Sequence, residues 1–178
     1  KMAVDITFNG KGDVELDFSR SSDAVPAAIN SYINYTKAYA LFAIKVFCNA
    51  TQPQTEGAMR PITIKAREGS FFNPKFPAAA EARFTQCNRV IDCIYRALSP
   101  VMPEKITAGN SASLSFISYA GLRPSGDYWV FLEVNEGSYG ARARKDGPDS
   151  IDNLMCNTRN NPLEDLGMHL PMVCERYE

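Results

Sequence analysis

The chain opens with two short stretches in which apolar and polar residues alternate, Ala3–Phe8 and Val14–Phe18. Between them lies Asn9-Gly10-Lys11-Gly12, whose residues tolerate the positive φ of a tight turn. Alternation on both sides of such a turn predicts a β-hairpin.

Two later segments carry apolar or small residues at helical spacing. The first starts at Pro26 and places one such residue every three or four positions: Ile29, Ile33, Thr36, Ala40, Ala43 and Phe47. It predicts an amphipathic helix with Pro26 near its first turn, followed by the loop "NATQPQTEG". The second starts at about Thr85, ends at Ser99-Pro100 and has this apolar face: Cys87, Val90, Ile91, Ile94 and Leu98.

The remaining segments are short strands and loops. "MRPITIKAREG" predicts a strand, and "SFFNPKFPAAAEA" an extended connector punctuated by proline. "SASLSFISYAG" and "DYWVFLEV" predict two strands joined by "LRPSGD", and "MVCERYE" predicts the start of another. The fold class is therefore α+β, with a mixed β-sheet and two main amphipathic helices in a single region over residues 1–178.

An unusual cluster of amides, Asn157, Asn160 and Asn161, precedes the segment "NPLEDLG". This segment predicts a short helix with Asn160 or Asn161 as N-cap, Pro162 in the first turn and Gly167 at the C-cap. One cap suffices for one helix. Asn157 and Asn160 therefore become candidates for binding a substrate.

Composition narrows the class of protein. The net charge is −1, from 19 basic and 20 acidic residues, which gives no basic footprint for nucleic acid. No apolar run reaches the roughly 18 residues that cross a membrane. The five cysteines lack CxxC spacing, so we expect free thiols in a reducing cytoplasm and no metal site within this segment.

The sequence carries no self-sufficient catalytic motif. It has neither a P-loop nor a GxSxG elbow, and its single histidine, His169, lies where a helix exits. Glu133 and Glu136 flank the start of a glycine loop, where they either orient a substrate or form a solvated strand end.

That loop, "EGSYGARARKDG", has two interpretations. Its glycines allow close backbone approach, and its basic residues suit an anion or an acidic partner surface. A tight turn or a subunit contact explains the same residues. We take Tyr139, Arg142 and Asp146 as the candidate loop contacts.

Six motifs in order resemble the hydantoinase B/oxoprolinase family. The stretch "VELDFSRSSD" is similar to the family's strand ending Asp-Phe-Ser/Thr-Gly-Ser/Thr, and "TEGAMRPITIKAREGSFFNPKFPAAAEAR" to its Asn-x-Gly-x-x-Arg-Pro, Glu-Gly-Ser and Asn-Pro pattern. Two helices match as well, "AAINSYINYTKAYALFAI" and "RVIDCIYRAL". So do the glycine loop, "EGSYGARARKDGPD", and the ending, "NTRNNPLEDL…ERYE". Arg20, Ala27-Ala28, Ser138 and Asn161 depart from the pattern, and Arg20 and Ser138 replace glycines that keep turns flexible.

The resemblance implies a part of an ATP-dependent cyclic-amide hydrolase. In this family an actin-like A-type subunit uses MgATP to phosphorylate a lactam or enol oxygen, and the B-type subunit directs hydrolysis. We expect this chain to match the middle-to-C-terminal part of such a B-type subunit in a hetero-oligomer. A divalent metal (Zn, Mn or Mg) is expected in the upstream part of the subunit, not here.

Two other functions stay open. The same family includes ketone carboxylases of the acetone and acetophenone type, so the substrate is hydantoin, oxoproline, a larger lactam or a ketone. Alternatively, the segment is a structural assembly module without a site residue of its own.

Overall fold

The computed structural model describes residues 1–111, 115–135, 137, 139–149, 151 and 161–176. The elements in chain order are β1 (Asp5–Phe8), β2 (Val14–Asp17), α1 (Ile33–Asn49), α2 (Glu56–Met59), β3 (Ile62–Lys65), α3 (Arg83–Leu98), a 3-10 turn (Pro103–Lys105), β4 (Ser115–Leu122), β5 (Tyr128–Asn135) and α4 (Leu163–His169). Within this described part, no helix is long and apolar enough to cross a membrane.

The first sheet is mixed, as predicted. β1 and β2 form the expected antiparallel hairpin, and β3 pairs with β2 in parallel. Because β2 lies in the centre, its alternate residues Val14 and Leu16 are buried while Glu15 and Asp17 lie on the other face. β4 and β5 form a separate antiparallel hairpin.

The core lies where α1 and α3 pack against each other and against this sheet. The apolar face predicted for α3 is confirmed, since all five of its residues are buried. Three aromatic rings form the centre of the core. Phe72 contacts Phe18 at 5.3 Å and Phe71 at 5.1 Å between ring centroids, both edge-to-face.

The first helix begins later than its pattern predicted, at Ile33 rather than near Pro26. The cause is Asn30, which is fully buried. Its amide accepts from the backbone N–H of Val25 (2.9 Å) and donates to the carbonyls of Val25, Ala27 and Ala79. These side-chain bonds hold the backbone in a non-helical conformation.

A one-turn helix, α2, covers the end of the predicted loop and reaches Met59, the first residue of the segment predicted as a strand. The Thr55 hydroxyl oxygen accepts a hydrogen bond from the Ala58 backbone N–H at 3.3 Å and thereby caps the N-terminus of α2. A single turn has too few apolar positions to show helical periodicity, which explains the difference.

The C-terminal predictions were partly wrong. α4 forms, but Pro162 occupies its N-cap without a side-chain capping bond, and Gly167 lies inside the helix. Asn161 does not cap it; Asn160 lies outside the described residues. Residues 172–176 are irregular rather than a strand, because within the described residues no other strand pairs with them.

Cys48, Cys87, Cys93 and Cys174 are free, while Cys156 lies outside the described residues. Burial raises the pKa of the Cys87 and Cys93 thiols. We therefore expect exposed Cys48 and Cys174 to react quickly with a thiol reagent in the native protein, and Cys87 only on unfolding. Titration under denaturing, non-reducing conditions should count five thiols; a count of three would reveal a disulfide.

Candidate functional site

Strand β5 carries Glu133 into a buried position beside the entrance to α4. Its carboxylate accepts two long hydrogen bonds from the Asn161 amide nitrogen, 3.3 Å to Oε2 and 3.4 Å to Oε1. A residue predicted to bind substrate thus lies against one that was predicted to cap a helix. The Asn161 amide bonds to this carboxylate, and α4 has no side-chain capping bond.

The other substrate candidates, Glu136, Asn157 and Asn160, lie outside the described residues and stay predictions. Asn160 immediately precedes Asn161 in the chain. The contact between Asn161 and Glu133 therefore brings the last residue of the amide cluster to the β4–β5 hairpin.

The glycine loop is docked against the segment after α3. The Ala108 backbone N–H donates to the Ala141 carbonyl at 2.8 Å, and Arg142 pairs with Thr107. A Cβ at Gly140 would overlap the Ala108 carbonyl, and one at Gly147 would overlap the Tyr139 carbonyl oxygen. These two glycines permit close contact between chain segments, which is the tight-turn interpretation of the loop.

Of the candidate loop contacts, Tyr139 is half-buried and lies close enough to Tyr95 to influence its pKa. Arg142 and Asp146 are exposed. The Arg142 backbone N–H donates to the Lys145 carbonyl at 2.8 Å, which closes a small turn. The three candidates therefore differ in exposure, since Tyr139 is half-buried and the other two are open to solvent.

A polar face of α3, which sequence reasoning did not single out, lies against the same segment. Arg89 donates to Asp92 at 2.5 Å and to the Asn110 and Ser111 carbonyls at 3.4 Å. Burial raises the pKa of Asp92, and the bonds from Arg89 and from the Asn110 backbone N–H oppose that shift. The signal was present in the sequence, as an oppositely charged pair three residues apart on a helix.

Asn88 lies one turn before Asp92 and is fully buried. Within the described part of the chain, neither its amide nitrogen nor its amide oxygen has a hydrogen-bond partner. Such a group costs about 1–3 kcal/mol when it is left unsatisfied. The buried face of α3 therefore carries a polar side chain without a hydrogen-bond partner among the described residues.

Tyr95, on the same helix, provides a pH test. Burial, with a smaller effect of Tyr139, raises the pKa of Tyr95 to about 12 from 10.0. The neutral phenol is thus favoured in the folded state. Its contribution to stability is complete below pH 10 and is lost as the pH rises from 10 to 12.

In the wild type, the free energy of unfolding should fall by up to about 2 kcal/mol between pH 10 and 12 because Tyr95 ionises. We expect Tyr95→Phe to abolish this part of the fall. Urea denaturation at several pH values measures it. Tyr128→Phe, at an exposed position on β5, is the control and should leave the slope unchanged. Equal slopes for the wild type and Tyr95→Phe would contradict the assignment.

The described residues do not fit a metal ion. Within them, no three carboxylate, thiol or imidazole groups converge. The half-buried carboxylate of Asp92 is bound by Arg89 instead, and the buried carboxylate of Glu133 by Asn161. We therefore derive no catalytic step through a metal from these residues.

Comparison with known proteins decides the family. The family model of hydantoinase B/oxoprolinase matches residues 1–178. The chain belongs to the hydantoinase B/oxoprolinase family. A curated relative, the putative B-type subunit of a D-/L-hydantoinase from Pseudomonas sp. (strain NS671), is 44% identical over 126 residues, which are 71% of this chain and 21% of the relative.

Two solved structures share the fold. The ATP-dependent caprolactamase from Pseudomonas jessenii superposes with a TM-score of 0.79 at 21% identity, covering 100% of this chain and 32% of that one. Nucleotide-free acetone carboxylase, from a study of ATP-dependent acetone carboxylation, gives 0.78 at 18% identity, covering 96% and 24%. The hydantoinase B/oxoprolinase chain thus spans a fifth to a third of these proteins, and its α+β fold is confirmed.

Proposed function

We propose that this chain is part of the B-type subunit of an ATP-dependent cyclic-amide hydrolase that acts on hydantoin, oxoproline or another lactam. The observation that carries the proposal is the family match over the full 178 residues. Similarity to the B-type subunit named for a hydantoinase and a fold shared with an ATP-dependent caprolactamase support it. The chain forms one region from the middle-to-C-terminal part of that subunit, in a cytoplasmic hetero-oligomer.

The family resemblance suggests the division of labour. In this proposal MgATP binds to an ATP-binding A-type partner, which agrees with the lack of a P-loop in this chain. The divalent metal (Zn, Mn or Mg) belongs to the upstream part of the subunit, which agrees with the lack of a cluster of three ligand residues within the described part of the chain.

Glu133, held in place by Asn161, is our candidate for contact with the substrate, together with Glu136, Asn157 and Asn160. A cyclic amide presents an N–H donor beside a carbonyl acceptor. The Glu133 carboxylate accepts hydrogen bonds, while the amides of Asn157 and Asn160 both donate and accept them. In this proposal these side chains orient the ring, and its chemistry is completed by the partner and by the upstream residues.

The test is reconstitution of the complete B-type subunit with its ATP-binding partner. ATP-dependent ring opening of hydantoin, 5-oxoproline or caprolactam is the expected result. The 178-residue chain alone should show no turnover above blank with MgATP. Loss of ATP dependence, or ring opening by the chain alone, would overturn the proposal.

Substitutions in the amide cluster separate a substrate-binding role from a structural one. We expect Asn157→Ala and Asn160→Ala to lower turnover in the complete complex with little change in Tm. Asn161→Ala should instead cost about 1 kcal/mol, because it removes the hydrogen bonds to the buried Glu133 carboxylate. If all three variants lose activity only in proportion to the folded fraction, the segment is an assembly module.

A ketone carboxylase is the second candidate, because acetone carboxylase shares the fold over 96% of the chain. The same complex then consumes ATP only when acetone or acetophenone and bicarbonate are both present. Product analysis distinguishes a β-keto acid from a ring-opened amide.

A further inference from the structure

The hairpin of β4 and β5 has one face without a charged residue. Residues directly opposite each other in an antiparallel pair share a face. The register places four such pairs on this side: Phe116 with Val134, Ser118 with Leu132, Ala120 with Val130, and Leu122 with Tyr128. We call these eight positions the apolar hairpin face.

Most of the apolar hairpin face is open to solvent. Five of its large side chains are exposed, by fractions that run from 50% at Phe116 and Leu132 to 69% at Leu122. The exposed area of the face is on the order of 600 Å², the upper end of what a monomeric protein leaves exposed in its largest patch. An area of that size marks a contact surface.

The opposite face of the hairpin is covered better by the chain itself, although Ile117 on that face is 42% exposed. Trp129 and Phe131 are half-buried there, and Glu133 is buried against Asn161. Gly121 lies directly under the Trp129 indole, where a Cβ would be 3.0 Å from its nitrogen. An isolated two-stranded hairpin is marginal in water, and a layer packed on the apolar hairpin face would stabilise it further.

At Phe116, the apolar hairpin face is already in contact with another element of the chain. The Phe116 ring contacts Phe84 of α3 edge-to-face, with 6.0 Å between centroids. Towards the hairpin tip, Val130 and Leu122 extend beyond that contact and are exposed. Within the described residues, this contact between α3 and the face therefore involves its first pair, at Phe116.

We infer that the apolar hairpin face docks an apolar layer from another part of the same B-type subunit, outside these 178 residues. The lack of charge is typical of permanent packing rather than of a transient partner. A subunit as long as these relatives has enough further chain to form such a layer, since this segment spans only 21% of one relative and 32% of another.

The inference rests on family membership and not on the proposed reaction, so it stands whether the enzyme is a hydrolase or a carboxylase. To test it, Val130→Cys is introduced into the 178-residue chain and into a subunit of the length its relatives have. Ser125→Cys, at the exposed hairpin turn, is the matched control. Maleimide labelling of each site is read by peptide mass spectrometry, which separates it from the native thiols.

The thiol at position 130 should react at least about tenfold more slowly in the long subunit than in the 178-residue chain, while the thiol at position 125 reacts alike in both. Hydrogen exchange of the β5 peptide in the unsubstituted proteins should show the same protection, which guards against a misfolded variant. Equal labelling at position 130 in both proteins would overturn the inference. Protection that appears only after the ATP-binding subunit is added, or that grows with the concentration of the 178-residue chain, would equally overturn it, because the occupant is then another molecule.

Discussion

Gly147→Ala should lower the free energy of unfolding by about 3 kcal/mol, and Gly140→Ala by a similar amount. A Cβ at Gly147 would overlap the Tyr139 carbonyl oxygen, and one at Gly140 the Ala108 carbonyl. The obstacle in both cases is backbone, which cannot turn aside as a flexible side chain does. Relief at Gly140 requires that the glycine loop move away from Ala108 and Gly109, whereas relief at Gly147 requires that the loop itself open between Tyr139 and Gly147. Urea denaturation measures the loss.

Gly57→Ala is the matched control. Gly57 lies in α2, a Cβ added there would meet no atom within 4 Å, and its φ is outside the left-handed region. Alanine there should be neutral or stabilise the protein by up to about 1 kcal/mol, because alanine favours helix. If all three variants unfold at the same urea concentration, the loop is not held as described.

Phe72→Ala should cost about 3–5 kcal/mol, which would lower Tm by roughly 10 °C. Phe72 is fully buried and touches both Phe18 and Phe71, so its removal leaves a cavity between α1 and the sheet. Thermal denaturation followed by circular dichroism measures the change.

Phe8→Ala provides the comparison, since the same ring is removed from a position that is 53% exposed on β1. We expect a cost of about 1 kcal/mol or less. Comparable losses for the two variants would show that the core is centred elsewhere.

Local patterns in the sequence were sufficient for most elements of the fold. The alternation around Asn9-Gly10 predicted the β1–β2 hairpin, and the helical spacing of Cys87 to Leu98 predicted the buried face of α3. These patterns succeed because burial on one face imposes the period of the element on the sequence. Ordered short motifs likewise indicated the hydantoinase B/oxoprolinase family, which the match over all 178 residues confirms.

The start of α1 and the role of Asn161 could not be read from the same patterns. Asn30 bonds to Ala79, a residue 49 positions away, and Asn161 to Glu133, 28 positions away. A polar side chain selects among local and distant partners according to what the fold brings within reach. The sequence therefore predicted a capping role for Asn161, whereas in the folded chain its amide bonds to the Glu133 carboxylate.

By itself, the sequence determined the family, the α+β class and the order of the main strands and helices, because each depends on residues near one another in the chain. Only the tertiary structure decided that Glu133 is buried against Asn161 and that Gly140 and Gly147 are sites of close backbone contact. It alone showed that one hairpin face, from Phe116 to Tyr128, is left open. These features depend on distances between segments far apart in sequence, and hydrophobic periodicity carries no information about which segment covers which face.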